Sequence, residues 1–473
     1  MKLTFCGAAR QVTGSMYLLE LEDDYTVLID CGTDMKRDWF DENETFKLFP
    51  FDVSDIDLVL LTHAHIDHSG NIPNLYKEGY EGQVLCTSAT EQLTNILLID
   101  SANLNQSKIK RAEGESNKKR KSMERINKRP DIFLQRQVDE AIKNFITIPF
   151  KQRFRFKDNG WVTFYPAGHL LGAAHIVLEV IENGVKKSIG FSGDLGRKNY
   201  PLHLDPCPIP QVDYLLCETT YGSRNHINKE NQVDALAEVI QKACIDIPGR
   251  LIIPSFSVGR TQALLYTLNK LYTERGFKPV KVFSDSPLAY SSTKIYQKFK
   301  SLLNPEAKEF LEENHNLFDF ENLQYIESSK ASKMISNYHE PCIIISSSGM
   351  VQGGRVEQHV AENISNPYCT ILMIGFAAEG TLGSKLLEGN LNTLTIKGKE
   401  MPVLAKIQKI DVFSGHGDQD DLLEFVKHQN SKALKNIFLI HGDENAMNVF
   451  KEKLHEHDFE NVEIPFRGQS YQL

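Results

Sequence analysis

The stretch 60-LLTHAHIDHSG-70 places three histidines and an aspartate, His63, His65, Asp67 and His68, within six positions. The whole chain has only 15 histidines in 473 residues, so this crowding calls for a chemical reason. The apolar run DLVLL before it reads as a buried strand. His63 and His65 are two residues apart and face the same way in extended chain. Asp67 and His68 sit where a turn follows, and HSGNIPNLYKEG can start a helix. Neutral imidazole and carboxylate are good zinc ligands, and four such groups split between strand end and turn can serve two ions. A single histidine is more often a satisfied core residue; a cluster at this spacing is not.

Four ligands do not complete two sites, so others are expected downstream. FYPAGHLLGAAH offers His169, IGFSGDLG offers Asp194, and NIFLIHGDE offers His441. In each, an apolar strand ends, a ligand-type residue appears and a glycine lies beside it.

Working outward, the first 60 residues read as short strands: KLTFCG, SMYLLELE, YTVLIDCG and DLVLL. GQVLCTS, VTFYPAG, HIVLEVIE and KSIGFSGD add more, and helical patterns occupy roughly 89–145. This predicts two sheets with helices outside them. Near residue 218 the pattern changes to strand, Ser/Gly-rich loop and helix, four times over: RLIIPSF–SVGR, PVKVFSD–SPLAYSS, PCIIIS–SSGMVQGG and CTILMIGF–AAEGTLGS. That is the signature of a parallel α/β sheet, whose ligands usually lie at the carboxyl ends of the strands. Strands return after about 390 in TLTIKG, MPVLAKIQKIDVF, NIFLIHG and VEIPF, with a helix at DDLLEFVKHQ.

Composition sets limits. The chain carries a net charge of −9 and eight scattered cysteines with no CxxC. Buried thiols in a reducing cytoplasm are expected, not a disulfide framework or a Cys-type zinc site. No apolar run is long enough for a membrane span, and the N-terminal MKLTFCGAARQVTG lacks the apolar core of a signal peptide. The net charge counts mildly against a nucleic-acid binder, but residues 108–129 hold ten Lys or Arg against three Glu. That stretch reads as either an RNA-guiding arm or a solvated surface.

HAHIDH, GHLLGAAH, SGDLG and HGDE resemble the metallo-β-lactamase fold. LIDCG, CETTYGSR, SSSGMVQGGR, GFAAEGTLGS and FSGHGDQDDL further resemble its β-CASP branch. Those are RNA-processing nucleases that include cleavage-and-polyadenylation endonucleases and their prokaryotic relatives. The resemblance implies an αββα metallo-β-lactamase sandwich over 1–215 and 393–473, interrupted by a parallel α/β β-CASP cap over 216–392. It implies that His63, His65 and His169 hold one zinc ion, that Asp67, His68 and His441 hold the other, and that Asp194 bridges them. Manganese suits the same donors. Asp30, in LIDCG, would orient ligand imidazoles.

The implied activity is a metal-dependent ribonuclease, endonucleolytic with 5′-exonucleolytic action left open. Two ions can activate a shared water, with Asp67 among the catalytic groups, and clamp the scissile phosphate. A ribose oxygen is a poor leaving group, so a general acid is expected. His416 in FSGHGDQ, with Glu218 in CETTYG beside it, corresponds to the family motifs for that role. Ser257, Arg260, Ser348, Arg355 and Thr381 are candidate contacts to substrate phosphates in the cap loops. Where relatives commonly carry Arg after the GT-containing loop, this chain has Ser384 and then Lys385. Only a short segment follows His441 in this sequence, so the additional C-terminal domain of RNase J enzymes is not expected.

The partner expected is RNA, with no membrane and with a homodimer open. The alternative is a hydrolase of a small ester or thioester on the same fold; the long insertion before FSGHG argues against the narrow pocket such enzymes need. A scaffold without activity would be expected to lack ligands, and all seven are here.

Overall fold

The computed structural model describes residues 1–35, 47–114, 129–226, 231–375, 377, 380–389 and 391–473. Contacts divide the chain into two units: Met1–Lys198, Asp205–Asn225 and His416–Leu473 form the first, and Asn199–Leu204 with His226–Gly415 form the second.

The first unit holds two seven-stranded sheets. In one, Lys2–Phe5, Tyr17–Glu20, Thr26–Ile29, Leu58–Leu60, Gln83–Cys86 and Phe145–Thr147 lie side by side, with Ser470–Gln472 on the outer edge of Lys2–Phe5. In the other, the order is Val462–Glu463, Asn436–Ile440, Tyr214–Glu218, Val185–Phe191, Ala174–Glu182, Gly160–Pro166 and Phe154–Lys157. Alternate residues of both sheets meet in one core: Leu3, Phe5, Ile29 and Leu60 from the first pack with Phe164, Ile176, Phe191 and Phe438 from the second. The outer face of the first sheet is covered from the helical side by Ile72, Leu75, Tyr76 and Ala141, and that of the second by Leu422, Phe425, Phe450 and Leu454. Two sheets face to face with helices outside is the αββα sandwich read from the sequence. Leu58–Leu60 is apolar at every position because parallel partners flank it on both sides and both of its faces are covered.

The second unit is built on six strands in the order Leu323–Tyr325, Lys281–Asp285, Cys342–Ser346, Arg250–Pro254, Cys369–Met373 and Lys406–Lys409. Every neighbouring pair is parallel. The four central strands are those of the repeated strand–loop–helix pattern. The two edge strands are short and polar, which is how natural sheets blunt an exposed edge.

Two boundaries differ from the sequence reading. Residues 216–225 pack with the first unit, because Tyr214–Glu218 pairs with Val185–Phe191 and Asn436–Ile440. Residues 393–415 pack with the second, because Lys406–Lys409 extends its sheet and Thr393–Ile396 forms a hairpin with Lys399–Pro402. Helices Ser88–Gly114 and Gln135–Lys143 fall in the expected helical region. Most of the basic stretch 108–129, including Lys118–Lys121, lies outside the described residues.

The eight cysteines are free, and all but Cys207 are buried. No described helix is long and apolar enough to cross a membrane.

Candidate metal centre

The strand ends of the first unit place the ligand-type residues. Leu58–Leu60 leads into His63 and His65, Gly160–Pro166 into His169, Val185–Phe191 into Asp194, and Asn436–Ile440 into His441. After His65 the chain turns into the single helical turn Ile66–Ser69. The Ser69 hydroxyl closes that turn by donating to the carbonyls of Ala64 (2.9 Å) and His65 (3.0 Å). Two glycines let these loops touch. A Cβ on Gly32 would lie 1.6 Å from the Asp67 carbonyl oxygen, and one on Gly196 would lie 2.1 Å from the carbonyl carbon of Gly168.

The residues gather into two groups, His63–His65–His169–Asp194 and Asp67–His68–His441. Within each group one ligand atom per residue lies within 4.8 Å of the others. Asp194 faces both. Its Oδ2 lies 3.4 Å from His63 Nε2 and 3.5 Å from His169 Nε2, while its Oδ1 lies 3.2 Å from His68 Nε2 and 3.5 Å from His441 Nδ1. On the first side, His65 Nδ1 is 3.1 Å from His63 Nε2 and 3.0 Å from His169 Nε2. On the second, His441 Nε2 is 3.5 Å from Asp67 Oδ2.

The hydrogen bonds behind the rings fix which nitrogen points inward. Asp30 Oδ1 accepts from the Thr62 N–H (2.8 Å), and its Oδ2 accepts from the Thr62 hydroxyl (2.9 Å) and from His68 Nδ1 (2.7 Å). With its proton given to Asp30, the Thr62 hydroxyl can only accept from His63 Nδ1, 3.1 Å away. Nε2 of His63 is then a bare lone pair aimed into the cluster, and His68 is turned the same way.

Electrostatics separate the rings into neutral His63 and His65 and a His68 that favours the protonated form when no cation is bound. Burial, then the like charge of neighbouring imidazoles, holds His63 and His65 well below the ordinary histidine range, so both are neutral donors. Burial works against a charged His68, but Asp194 and Asp30 outweigh it and raise the ring well above its usual value. Asp67 pays the same burial penalty, yet His441 and His68 bring its carboxyl down to about 2.

A metal fits these residues. Asp194 Oδ1 is buried with no hydrogen-bond partner among the described residues, and the inward-facing nitrogens of His63, His65 and His169 stand 3.0–3.1 Å apart. Such a convergence of lone pairs is repulsive unless protons or cations occupy it, and neutral imidazole with carboxylate is a zinc donor set.

His416 lies next to the first group, its ring centroid 4.4 Å from that of His169. Its Nδ1 is 3.1 Å from Glu218 Oε1. Glu218 is fully buried and also accepts from the backbone N–H of Leu195 (2.8 Å) and Thr220 (2.9 Å). Burial disfavours its carboxylate, but His416 outweighs that and keeps the group below its ordinary range. Glu218 and Asp194 also form a third His/carboxylate grouping with His416. The backbone donors on Glu218 account for it as a holder of His416.

The cap candidates lie in the second unit. Ser257 Oγ is 2.7 Å from Ser347 Oγ and 3.2 Å from Ser286 Oγ, at the carboxyl ends of three adjacent strands. The Ser348 hydroxyl donates to the Gln352 carbonyl (3.0 Å). The Thr381 hydroxyl caps helix Leu382–Glu388 by accepting from Ser384 N–H (3.2 Å). Arg260 lies over the Phe256 ring, its Cζ 4.7 Å from the centroid. Arg355 is engaged within the cap itself: Nη1 pairs with buried Asp285 (2.6 Å), and the guanidinium donates to the carbonyls of Ile326 (2.9 Å) and Glu327 (2.6 Å).

Sequence reading missed Thr62, Ser15 and Thr220, which hydrogen-bond the imidazoles of His63, of His68 and of His441 respectively. Thr62 directly precedes His63 and Thr220 lies two residues after Glu218, which was the one available signal. Their roles depend on distances between chain-remote atoms.

Three family descriptions match in succession: the Metallo-beta-lactamase superfamily over residues 9–223, the Beta-Casp domain over 261–386, and the Zn-dependent metallo-hydrolase RNA specificity domain over 400–465. Ribonuclease TTHA0252 of Thermus thermophilus is 31% identical, over 94% of this chain and 94% of its own. The chain belongs to the β-CASP branch of the metallo-β-lactamase superfamily. An RNase J-like protein of Methanocaldococcus jannaschii is 32% identical over 90% of this chain and 89% of its own. The transcription termination factor FttA of Methanosarcina mazei is 29% identical over 94% of this chain and 67% of its own.

Proposed function

We propose that this β-CASP protein hydrolyses RNA phosphodiester bonds at the centre formed by His63, His65, Asp67, His68, His169, Asp194 and His441. It is a metal-dependent ribonuclease. The observation that carries the reading is Asp194, with one carboxylate oxygen turned to each of two ligand groups, in a chain whose full-length relatives bear ribonuclease names.

Zinc ions in the two groups, with manganese as the other suitable ion, would supply Lewis acidity that makes water nucleophilic near neutral pH and offsets phosphate charge. The chain's own residues do the rest. Asp30 and Thr62 hold His63 and His68 in the tautomer that aims Nε2 inward. Glu218 holds His416 by Nδ1 and favours its protonated form, so proton delivery to the leaving ribose oxygen falls to Nε2. Ser257, Arg260, Ser348 and Thr381 are proposed contacts to RNA phosphates, and Arg355 a shaper of the cap loops. Buried free thiols suit a reducing, cytoplasmic setting, and a homodimer is compatible with the reading.

The test is incubation of the purified protein with end-labelled RNAs differing at the 5′ terminus, beside thioester and lactone substrates, with and without chelator. Cleavage of RNA abolished by chelator is the expected result. Turnover confined to the small esters would replace this reading with the small-molecule one.

A further inference from the structure

The centre is bordered on its Asp67–His441 side by a loop, residues 8–15, whose outer surface the chemistry above does not use. The loop is tied down at both ends. The His441 N–H donates to the Ala8 carbonyl (2.8 Å), and the Ser15 N–H donates to the Asp67 carbonyl (2.8 Å). Between the ties stands Arg10. Its φ of 58° and that of Ala8, 46°, are left-handed, a conformation that non-glycine residues keep only where the surroundings impose it.

Those surroundings place the Arg10 guanidinium over the ring of Phe466, with Cζ 3.6 Å from the centroid. Nη2 donates to the Ile464 carbonyl (3.1 Å), and Nη1 pairs with Glu444, three residues beyond His441. Phe466 is 59% exposed although it is large and apolar. Arg467 follows it, its Nη1 3.0 Å from Asp34 Oδ2. The next residue, Met35, donates its N–H to Thr13 Oγ1 (3.3 Å), so segment 34–35 lies against the same loop. An aromatic ring is thus backed by one arginine, flanked by a second, and anchored through a short loop to two metal-ligand residues.

We propose that Arg10, Phe466 and Arg467 form a stacking platform for one base of single-stranded RNA beside the metal centre, with Arg467 taking an adjoining phosphate. The inference rests on the ribonuclease reading and adds a substrate subsite to it. Arg10 stacks on the Phe466 ring, and among the described residues the side chain is otherwise exposed, which leaves the opposite face to a base. Every base has a π-face, so such a platform is tolerant of sequence, and a guanidinium behind the ring adds cation–π attraction. Arg10 is held at three points, so the ring is presented rigidly and little freedom is lost on binding. Arg467 is exposed in its pair with the half-buried Asp34, and a phosphate offers the guanidinium a bidentate partner. A protein partner would call for a larger contiguous apolar patch than Phe466 and Met35 provide.

The experiment uses the metal-loaded protein and a short single-stranded RNA in which one abasic ribose is moved stepwise along the strand. In the wild type, loss of the base at one position near the cut should lower kcat/KM on the order of tenfold. Phe466→Ala should show that loss already on intact RNA, mostly in KM, and no further loss at that position; Phe466→Trp should restore the wild-type pattern. Arg467→Ala should reduce the salt dependence of RNA binding by about one phosphate contact. Tyr368→Ala, an exposed aromatic in the other unit, should behave as wild type. A Phe466→Ala enzyme with wild-type KM, or one in which the abasic loss and the mutational loss simply add, overturns the platform and leaves the ribonuclease reading standing. A wild type that cleaves no RNA at all overturns both.

Discussion

Asp30 Oδ2 and His68 Nδ1 lie 2.7 Å apart, and the same oxygen receives the Thr62 hydroxyl at 2.9 Å. One carboxylate therefore orients two imidazoles, His68 directly and His63 through Thr62. It comes from a left-handed residue (φ 58°) at the end of strand Thr26–Ile29, parallel to and beside the strand that leads into His63.

Asp30→Asn should weaken metal binding while the fold survives. The amide keeps an acceptor for the Thr62 N–H but puts an NH2 group where two donors now converge. Loss of such an orienting carboxylate typically costs roughly 10–100-fold in metal affinity. Competition with a chromogenic chelator, alongside circular dichroism, measures it; unaltered affinity would mean the ligands hold their own orientation.

His416→Ala should leave metal content intact and slow the chemical step by roughly 10²–10⁴-fold, the usual worth of a general acid. Glu218→Gln should move the descending limb of the pH–rate profile to lower pH, because the carboxylate that favours a protonated His416 is gone. Single-turnover rates across pH, with metal analysis of each variant, decide it. Metal loss from His416→Ala would assign that histidine to the ligand set.

Arg355→Ala should destabilise the cap. Asp285 is fully buried, and removing one partner of a buried ion pair typically costs about 3–5 kcal/mol. The remaining contacts to Asp285, from His359 Nε2 (2.6 Å) and the Ser332 hydroxyl (2.6 Å), place the expected loss toward the low end of that range. Denaturant midpoints measure this without substrate; a wild-type midpoint would free Arg355 for direct contact with RNA.

Burial pushes the Asp421 carboxyl up to about 6. Its folded value thus lies above the unfolded value near 3.9. The folded state is the better proton binder, so the stability linked to this group is full below pH 4 and is lost as pH rises through 6. Asp421→Asn should then melt higher than wild type at pH 8, by roughly 2 °C or more, and equal to it below pH 4. The amide oxygen still accepts from Asp418 N–H, which now donates to Asp421 Oδ2 at 3.1 Å. Thermal melts at the two pH values check the sign.

Much of this candidate centre could be read from the chain because His63, His65, His169, Asp194 and His441 each follow the end of an apolar strand, with Asp67 and His68 in the helical turn just after the first. HAHIDH carries its own spacing, and His169, Asp194 and His441 repeat the same context. What could not be read lies between remote segments. Nothing near Thr62 says that its hydroxyl serves as a relay between Asp30 and His63. Nothing in GGR says that Arg355 turns inward to Asp285 instead of outward. The unit boundary at His416 was hidden for a similar reason: KIQK is a short polar edge strand, and only its pairing with Cys369–Met373 assigns it to the cap.

The most direct test of the two-sided Asp194 centre is titration of metal-depleted protein with zinc, following bound metal per chain and RNA cleavage together. Two equivalents bound per chain, with cleavage appearing only as the second site fills, is the predicted result. Full cleavage by metal-free protein, or saturation at a single equivalent with full activity, would contradict it.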